Sequence, residues 1–368
     1  MLRRPSAVLE RAWSGLPGSV PWTRALAPLA LLYGAASAHA RERAAAHRSR
    51  IQGAHVIAVA GLTVGGSGKS GVARWLAGQA AVWDRAAILL RGYGAARRGG
   101  AEFVPDLDGL AAASRVGRYG DDALAHRLAL PREAAVVVAA DRLEGARAAT
   151  SGFGARTLVL DDGWEQDGLR WDELWIVLDP LRPEGNGDLL PAGPLRRPVE
   201  TLREGTRIVF VLDGEPALPE TARRWVGDHG FGVPSLTLRR VVRGVSGPGR
   251  LEVEPPRVGA RVGLVSGVGA PARFERLVRA QGLVVTGHAA FSNHAAWRPR
   301  DLERAIDALA VAGSECVLLT EKDEPRWPAG LRTPVPVRVL RTELTPLDSP
   351  ASALEPLRTA LAGRSMLG

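Results

Sequence analysis

The apolar run Val56-Ile57-Ala58-Val59-Ala60 leads into Gly65-Gly66-Ser67-Gly68-Lys69-Ser70, and residues 70–82 follow with the spacing of a helix. Strand, glycine-rich loop and helix form the arrangement in which backbone amides wrap a phosphate chain and a helix N-terminus faces it. A strand without polar alternation has to be covered on both faces, so this feature already calls for a parallel α/β sheet. Lysine usage points to the same place. Of the 48 lysines and arginines only Lys69 and Lys322 are lysine. A compact ammonium on a flexible stem suits β/γ-phosphate oxygens where a planar guanidinium fork does not. The Ser70 hydroxyl is the expected Mg²⁺ ligand of such a loop.

The remaining apolar runs extend the pattern. Residues 86–90, 135–139, 157–160, 174–178 and 207–212 read as buried strands separated by helical or loop segments. From residue 235 to 245 and around 251–253 the chain turns β-branched and basic, broken by Gly247-Pro248-Gly249 and Pro255-Pro256, and reads as a β-ribbon or linker. Strands at 261–266, 283–286 and 316–319, with helices at 271–281 and 299–311, then make a second, smaller α/β unit. The expectation is a P-loop NTPase-like parallel sheet flanked by helices, with a smaller C-terminal α/β unit joined through the β-ribbon linker and an N-terminal apolar anchor helix. Its boundaries are 1–50 for a membrane-interface helix and basic flank, 51–233 for the nucleotide-binding core, 234–260 for the linker and 261–368 for the C-terminal unit.

A chain of 368 residues has material for about two domains of roughly 150 residues. The lone Cys316, inside an apolar run, excludes an intramolecular disulfide and reads as a small buried hydrophobe. A net charge of +9 suits a nucleic acid, an anionic membrane or a phosphorylated substrate. The basic stretch 41–50 has no interleaved aromatics and no nucleic-acid module is present, so nucleic acid ranks last. Residues 25–38 are apolar or small and lie between Arg24 and His39. As a helix they span about 21 Å against a hydrocarbon core of ~30 Å, too short for a clean crossing. Trp13, Trp22 and the flanking arginines fit an interfacial anchor. A buried core helix and a signal-peptidase site at Ala36-Ser37-Ala38 stay open beside it.

The full phosphate-loop pattern asks for glycine where this chain has Thr63; Thr63, Gly65, Gly66, Ser67, Gly68, Lys69 and Ser70 are the expected nucleotide contacts. Asp161 and Asp162 end the strand at 157–160, at the carboxyl edge where a magnesium ligand or a base belongs. Arg91, Arg142 and Arg196 follow apolar runs or a Gly-Pro turn and read as phosphate or substrate contacts, or as solubilising charge. Asp121 follows Gly120 and precedes a helical stretch, so helix N-cap and base both stand.

In order, Ala58 to Ser70, Arg91-Gly92-Tyr93-Gly94, Gly120-Asp121-Asp122, Asp161-Asp162-Gly163 and Leu189-Leu190-Pro191-Ala192-Gly193-Pro194-Leu195-Arg196 resemble the tetraacyldisaccharide 4′-kinases. The succession continues with Gly267-Val268-Gly269-Ala270-Pro271-Ala272-Arg273-Phe274, Phe291-Ser292-Asn293-His294 and Thr320-Glu321-Lys322-Asp323. Thr63 at the loop's first position is also what that family looks like. The resemblance covers residues 13–339. It implies ATP and Mg²⁺ as cofactors and phosphorylation of the 4′-hydroxyl of a membrane-embedded tetraacylated disaccharide 1-phosphate. It further implies the cytoplasmic face of an inner membrane, peripheral or N-terminally anchored, and no obligate protein partner. By the same likeness Lys69 grips the β/γ-phosphates, Ser70 with Asp161 or Asp162 serves the metal, and Asp121 with His294 forms the acid/base pair.

The chain departs from the family where relatives usually read Asp-Asp-Gly-Phe-Gln-His and it has Gln166 in place of the histidine. It departs again where relatives read Asp-His-His and it has Asn293-His294-Ala295, and at Asp122, which replaces a glutamate. Loss of a carboxylate beside His294 weakens that histidine's orientation. Two other readings stand at this stage: a membrane-associated P-loop ATPase switch, and a lipid-binding relative with little turnover. A guanine-reading Asn/Thr-Lys-x-Asp is not present, since Lys322 comes one place too late.

Overall fold

The structure, a computed structural model, describes residues 12–13, 21–45, 47–92, 99–106, 115–164, 168–202, 205–232, 235–292, 297–328, 330–347 and 354–355. In chain order the strands are β1 His55–Gly61, β2 Ala86–Leu90, β3 Glu102–Phe103, β4 Ala134–Val138, β5 Thr157–Asp161 and β6 Glu173–Leu178. They continue with β7 Thr206–Leu212, β8 Leu236–Ser246, β9 Arg261–Ser266, β10 Val284–Ala290, β11 Cys316–Thr320 and β12 Val337–Pro346. The strands pair mostly in parallel and are flanked by helices. Every residue of β1, β2, β4 and β5 is buried, as double coverage of a parallel sheet requires.

Two compact units share the chain. One comprises Met1–Val72, Leu160–Leu238 and Pro346–Gly368, the other Ala73–Val159 and Arg239–Thr345. In the first unit β6 lies between β1 and β7, all parallel, with Gly61 opposite Val177 and Leu178 opposite Phe210. Leu62, Trp164, Ile176, Phe210 and Trp225 pack into its core, Trp225 arriving on the helix Glu220–Asp228. The amino ends of these strands are pinned by Glu173, whose carboxylate meets His55 Nε2 at 2.9 Å, Arg207 Nε at 2.7 Å and the Trp175 indole N–H at 3.0 Å. Burial opposes ionisation of Glu173, yet the His55 and Arg207 contacts and the Trp175 bond together hold it at about 2.

The N-terminal segment is a 3₁₀ turn, Pro21–Leu26, running into the helix Ala27–Ala45. Leu29, Leu31 and Leu32 are 53%, 74% and 67% exposed, and Ala30 is this helix's buried residue. The helix touches the core through the Tyr33 hydroxyl, which donates to Arg196 O at 3.3 Å, and through Gly34, where a Cβ would stand 3.0 Å from Leu189 Cδ1. Among the described residues no helix is long and apolar enough to cross a membrane, because this one runs on through Arg41, Glu42 and Arg43.

In the second unit β9 lies between β10 and β11, and β12 pairs with β11, all in parallel. Alternate residues of the same strands serve opposite faces. Val262, Leu264, Cys316, Leu318 and Leu340 meet the helix Pro271–Arg279, while Val265, Val317, Leu319 and Val339 meet the helix Pro299–Val311. Both helices open on proline, whose missing N–H is harmless in the first turn. The stretch read as a ribbon contributes β8, an eleven-residue strand, followed by a bridge from Ser246 to Glu252. β2 pairs with β4 in parallel and β3 with β4 antiparallel.

Candidate active site

The nucleotide loop is a backbone construction. Gly65 and Gly68 hold φ of 112° and 98°, which side-chain-bearing residues rarely adopt. The helix Lys69–Ala80 starts there, and its first ladder bond runs from Val72 N–H to Gly68 O at 3.1 Å. The N–H groups of Lys69, Ser70 and Gly71 precede that bond and belong to the helix's anion-binding first turn. Lys69 and Ser70 are half-buried and Ser67 is buried. Thr63 bridges to Leu195, Val64 N–H donates to Pro194 O at 2.8 Å, and Arg196 N–H donates to Leu62 O at 3.0 Å. The segment expected to form a substrate rim therefore pairs with the entry to the loop, at Leu62 to Val64.

Asp161 closes β5 and is buried, and Asp162 follows in the left-handed region with φ of 56°. Aspartate tolerates that backbone better than most residues. The next N–H, from Gly163, donates to Val59 O at 3.0 Å and ties the turn to β1; a Cβ at Gly163 would lie 2.5 Å from Leu160 Cβ. Asp162 receives a two-pronged ion pair from Arg196, at 2.6 and 3.0 Å. Two residues expected to serve different partners, a metal and a substrate, thus hold each other. Arg197 lies against the Trp164 ring at 4.1 Å and donates to Trp164 O.

The cluster around Asp121 lies in the second unit and is built from side chains. Gly120 occupies the N-cap with φ of 85°, so Asp121 is the first residue of the helix Asp121–Ala129 and not its cap. Asp121 is 3% exposed, accepts the Asp122 N–H at 3.0 Å, and lies 3.5 Å from Arg326 Nε through its other oxygen. Lys322 Nζ is 2.9 Å from Asp122 Oδ1. Burial alone pulls the Lys322 ammonium down, but the carboxylates of Asp122 and Asp121 lift it above the ordinary lysine value. Asp323 is fully buried, which pushes its carboxyl up against the opposing pull of Arg326, Thr320 and the Gly267 N–H. The second surviving lysine therefore belongs to the Asp121 cluster.

Arg91 follows β2 and is half-buried; Arg142 opens the helix Arg142–Phe153, is 3% exposed, and is preceded by the N-cap Asp141. β2 and β4 pair in register from Ala86 opposite Ala134 to Leu90 opposite Val138, so Arg91 and Arg142 leave the same sheet edge. His294, Asn293, Gln166, Tyr93 and Gly94 lie outside the described residues. Sequence reasoning missed Arg326 altogether, and its one available signal was the four-residue spacing from Lys322.

A parallel sheet with a glycine-rich loop between β1 and a helix, and carboxylates ending β5, defines a P-loop nucleotide-binding protein of the α/β class. The family model described as LpxK, tetraacyldisaccharide-1-P 4′-kinase, matches residues 22–361, and the chain belongs to that family. It is 36% identical to a tetraacyldisaccharide 4′-kinase of Gluconacetobacter diazotrophicus over 88% of this chain and 90% of that one. It is 34% identical to the protein of the same name from Phenylobacterium zucineum, over 91% and 95% of the two chains. The fold is also that of a crystal structure described as the "apo" form of LpxK from Aquifex aeolicus in complex with ATP. There the TM-score is 0.67 and the identity 23%, over 92% of this chain and 99% of that one.

Proposed function

We propose that this chain transfers the γ-phosphoryl group of ATP to the 4′-hydroxyl of a tetraacyldisaccharide 1-phosphate, giving lipid IVA. Family membership over residues 22–361 carries the reading, and the intact nucleotide loop supports it. The loop amides and the Lys69 ammonium gather the β- and γ-phosphates. Ser70 and Asp161 offer only hard oxygen donors, with neither thiol nor imidazole, which suits Mg²⁺ held jointly with phosphate oxygens, while Asp162 has both oxygens on Arg196. Bound there, magnesium would neutralise charge on the transferring phosphoryl group. The Asp121 carboxylate, 3.5 Å from the Arg326 guanidinium, orients the sugar hydroxyl and takes its proton, and His294 shares that task by the family likeness.

The acceptor carries acyl chains, so its headgroup must be met at a membrane surface. The exposed Leu29, Leu31 and Leu32 precede Arg41 and Arg43 on one helix, a pairing of apolar and basic groups that suits the interface of an anionic leaflet. That pairing supports a peripheral position at the cytoplasmic face of an inner membrane, where ATP is available. The test is acceptor dependence: purified protein should consume ATP only when the disaccharide 1-phosphate is supplied. Equal consumption without acceptor would establish the ATPase-switch reading, and none with it would establish the lipid-binding one.

A further inference from the structure

Three motifs with no assigned chemistry, Gly267 with its neighbours, Thr320 to Asp323 and the arginine at 326, converge on a single contact. Asp323 is the anchor: it accepts the Gly267 N–H at 3.0 Å and the Thr320 hydroxyl at 2.6 Å, and it pairs with Arg326. Arg326 is 8% exposed, donates to Gly267 O at 3.2 Å, and has its guanidinium 5.0 Å from the Trp297 ring centroid. A Cβ at Gly267 would stand 2.8 Å from both terminal nitrogens of Arg326, so glycine is required for the guanidinium to lie where it does. The guanidinium Nε lies 3.5 Å from Asp121 Oδ2.

A carboxylate as buried as Asp121 is driven toward its neutral form by desolvation, and a neutral carboxyl cannot accept a proton from a hydroxyl. A fixed guanidinium at this distance counters that drive. The Lys322 ammonium, 2.9 Å from Asp122 Oδ1, acts on Asp121 in the same direction through its charge, while Asp122 is itself an anion and Asp323 is paired with Arg326. Arginine suits the position because one terminal nitrogen, Nη2, serves both Asp323 and Gly267 O while the rigid plane holds Nε toward Asp121.

We infer that Arg326 is a positioning residue for phosphoryl transfer, a cation locked by Asp323, Gly267 and Trp297 that keeps Asp121 ionised and aimed. The inference rests on Asp121 as the group that takes the hydroxyl proton. The test is the pH dependence of single-turnover transfer from ATP to detergent-dispersed disaccharide 1-phosphate by the full-length protein. Arg326→Met should lower the rate at neutral pH roughly tenfold to a hundredfold and move the acidic limb upward by about one pH unit or more, with ATP affinity unchanged. Arg326→Lys should return the limb toward wild type while leaving the rate several-fold low. If Arg326→Met does not fold, Arg326→Gln, which keeps an N–H for Gly267 O, carries the same readout. An unmoved acidic limb in the neutral variant, whatever its rate, overturns the inference and leaves Arg326 as packing. Asp121→Asn is measured in parallel. Retained transfer in that variant removes the assignment of Asp121 itself, whereas loss of transfer there with an unmoved limb in the Arg326 variant removes only the positioning role.

Discussion

The nucleotide loop and the Asp121 cluster solve the same problem, the placement of charge, by opposite means. In the first, charge is met by backbone: glycines at positive φ, the opening turn of a helix, and one lysine within six consecutive residues. In the second it is met by side chains from separate parts of the sequence, Asp121 and Asp122 on one helix and Lys322, Asp323 and Arg326 after β11. A backbone cradle needs no partner to hold its shape, while a buried ion network requires every member to be satisfied. The two regions should therefore fail differently when a residue is removed.

The largest effect is expected from Lys69→Ala, which should lower transfer on the order of 10³-fold and weaken ATP binding, with the melting temperature nearly unchanged. Asp121→Asn should lower turnover by about 10²-fold or more while leaving ATP affinity near wild type. Isothermal titration with ATP beside transfer rates separates the two. If both variants lost affinity and turnover in the same proportion, the division between a binding region and a proton-handling region would collapse. Arg196 and Asp162 are an intermediate case, a side-chain pair behind a backbone loop. A double-mutant cycle of Arg196→Met and Asp162→Asn, read through ATP affinity, should give a coupling of about 1–2 kcal/mol, and additivity would mean the pair is incidental.

Smaller effects sharpen the contrast from outside the site. Leu31→Asn with Leu32→Asn should reduce transfer to vesicle-presented acceptor several-fold and leave detergent-dispersed acceptor unaffected; equal losses would show that these side chains serve folding. Glu173 tests a network remote from chemistry. Its folded value is lowered to about 2, so its stabilisation is present above its ordinary 4.5 and lost as pH falls from there toward 2. Wild type should lose roughly 5 °C more in melting temperature across that window than Glu173→Gln, and parallel curves would remove the network's role.

These differences also explain what was legible in the sequence. The succession of strand, glycine-rich loop and helix and the other buried strands were readable because their signal is local: consecutive apolar residues, then glycines, then Lys69. Most bounds moved by a residue or two, as β1 runs from His55 to Gly61, while β10 runs on to Ala290, well past the end expected at 286. β12 left no such signal, because Arg338, Arg341 and Glu343 interrupt its apolar positions. Its charges are answered elsewhere, Arg341 by the buried Glu324 at 2.6 Å and Glu343 by Arg243 on β8 at 2.7 Å. Arg196 and Asp162 looked like two independent ligands because 34 residues separate them, and only folding brings them to 2.6 Å. Arg326 was hidden for the same reason, on a chain where arginine is too common to stand out.

The account stands most directly on where the phosphate goes. With γ-labelled ATP and the disaccharide 1-phosphate, the label should appear on the 4′ oxygen of the distal sugar and should be absent with Lys69→Ala. Label released as inorganic phosphate, or found at another hydroxyl, would contradict it.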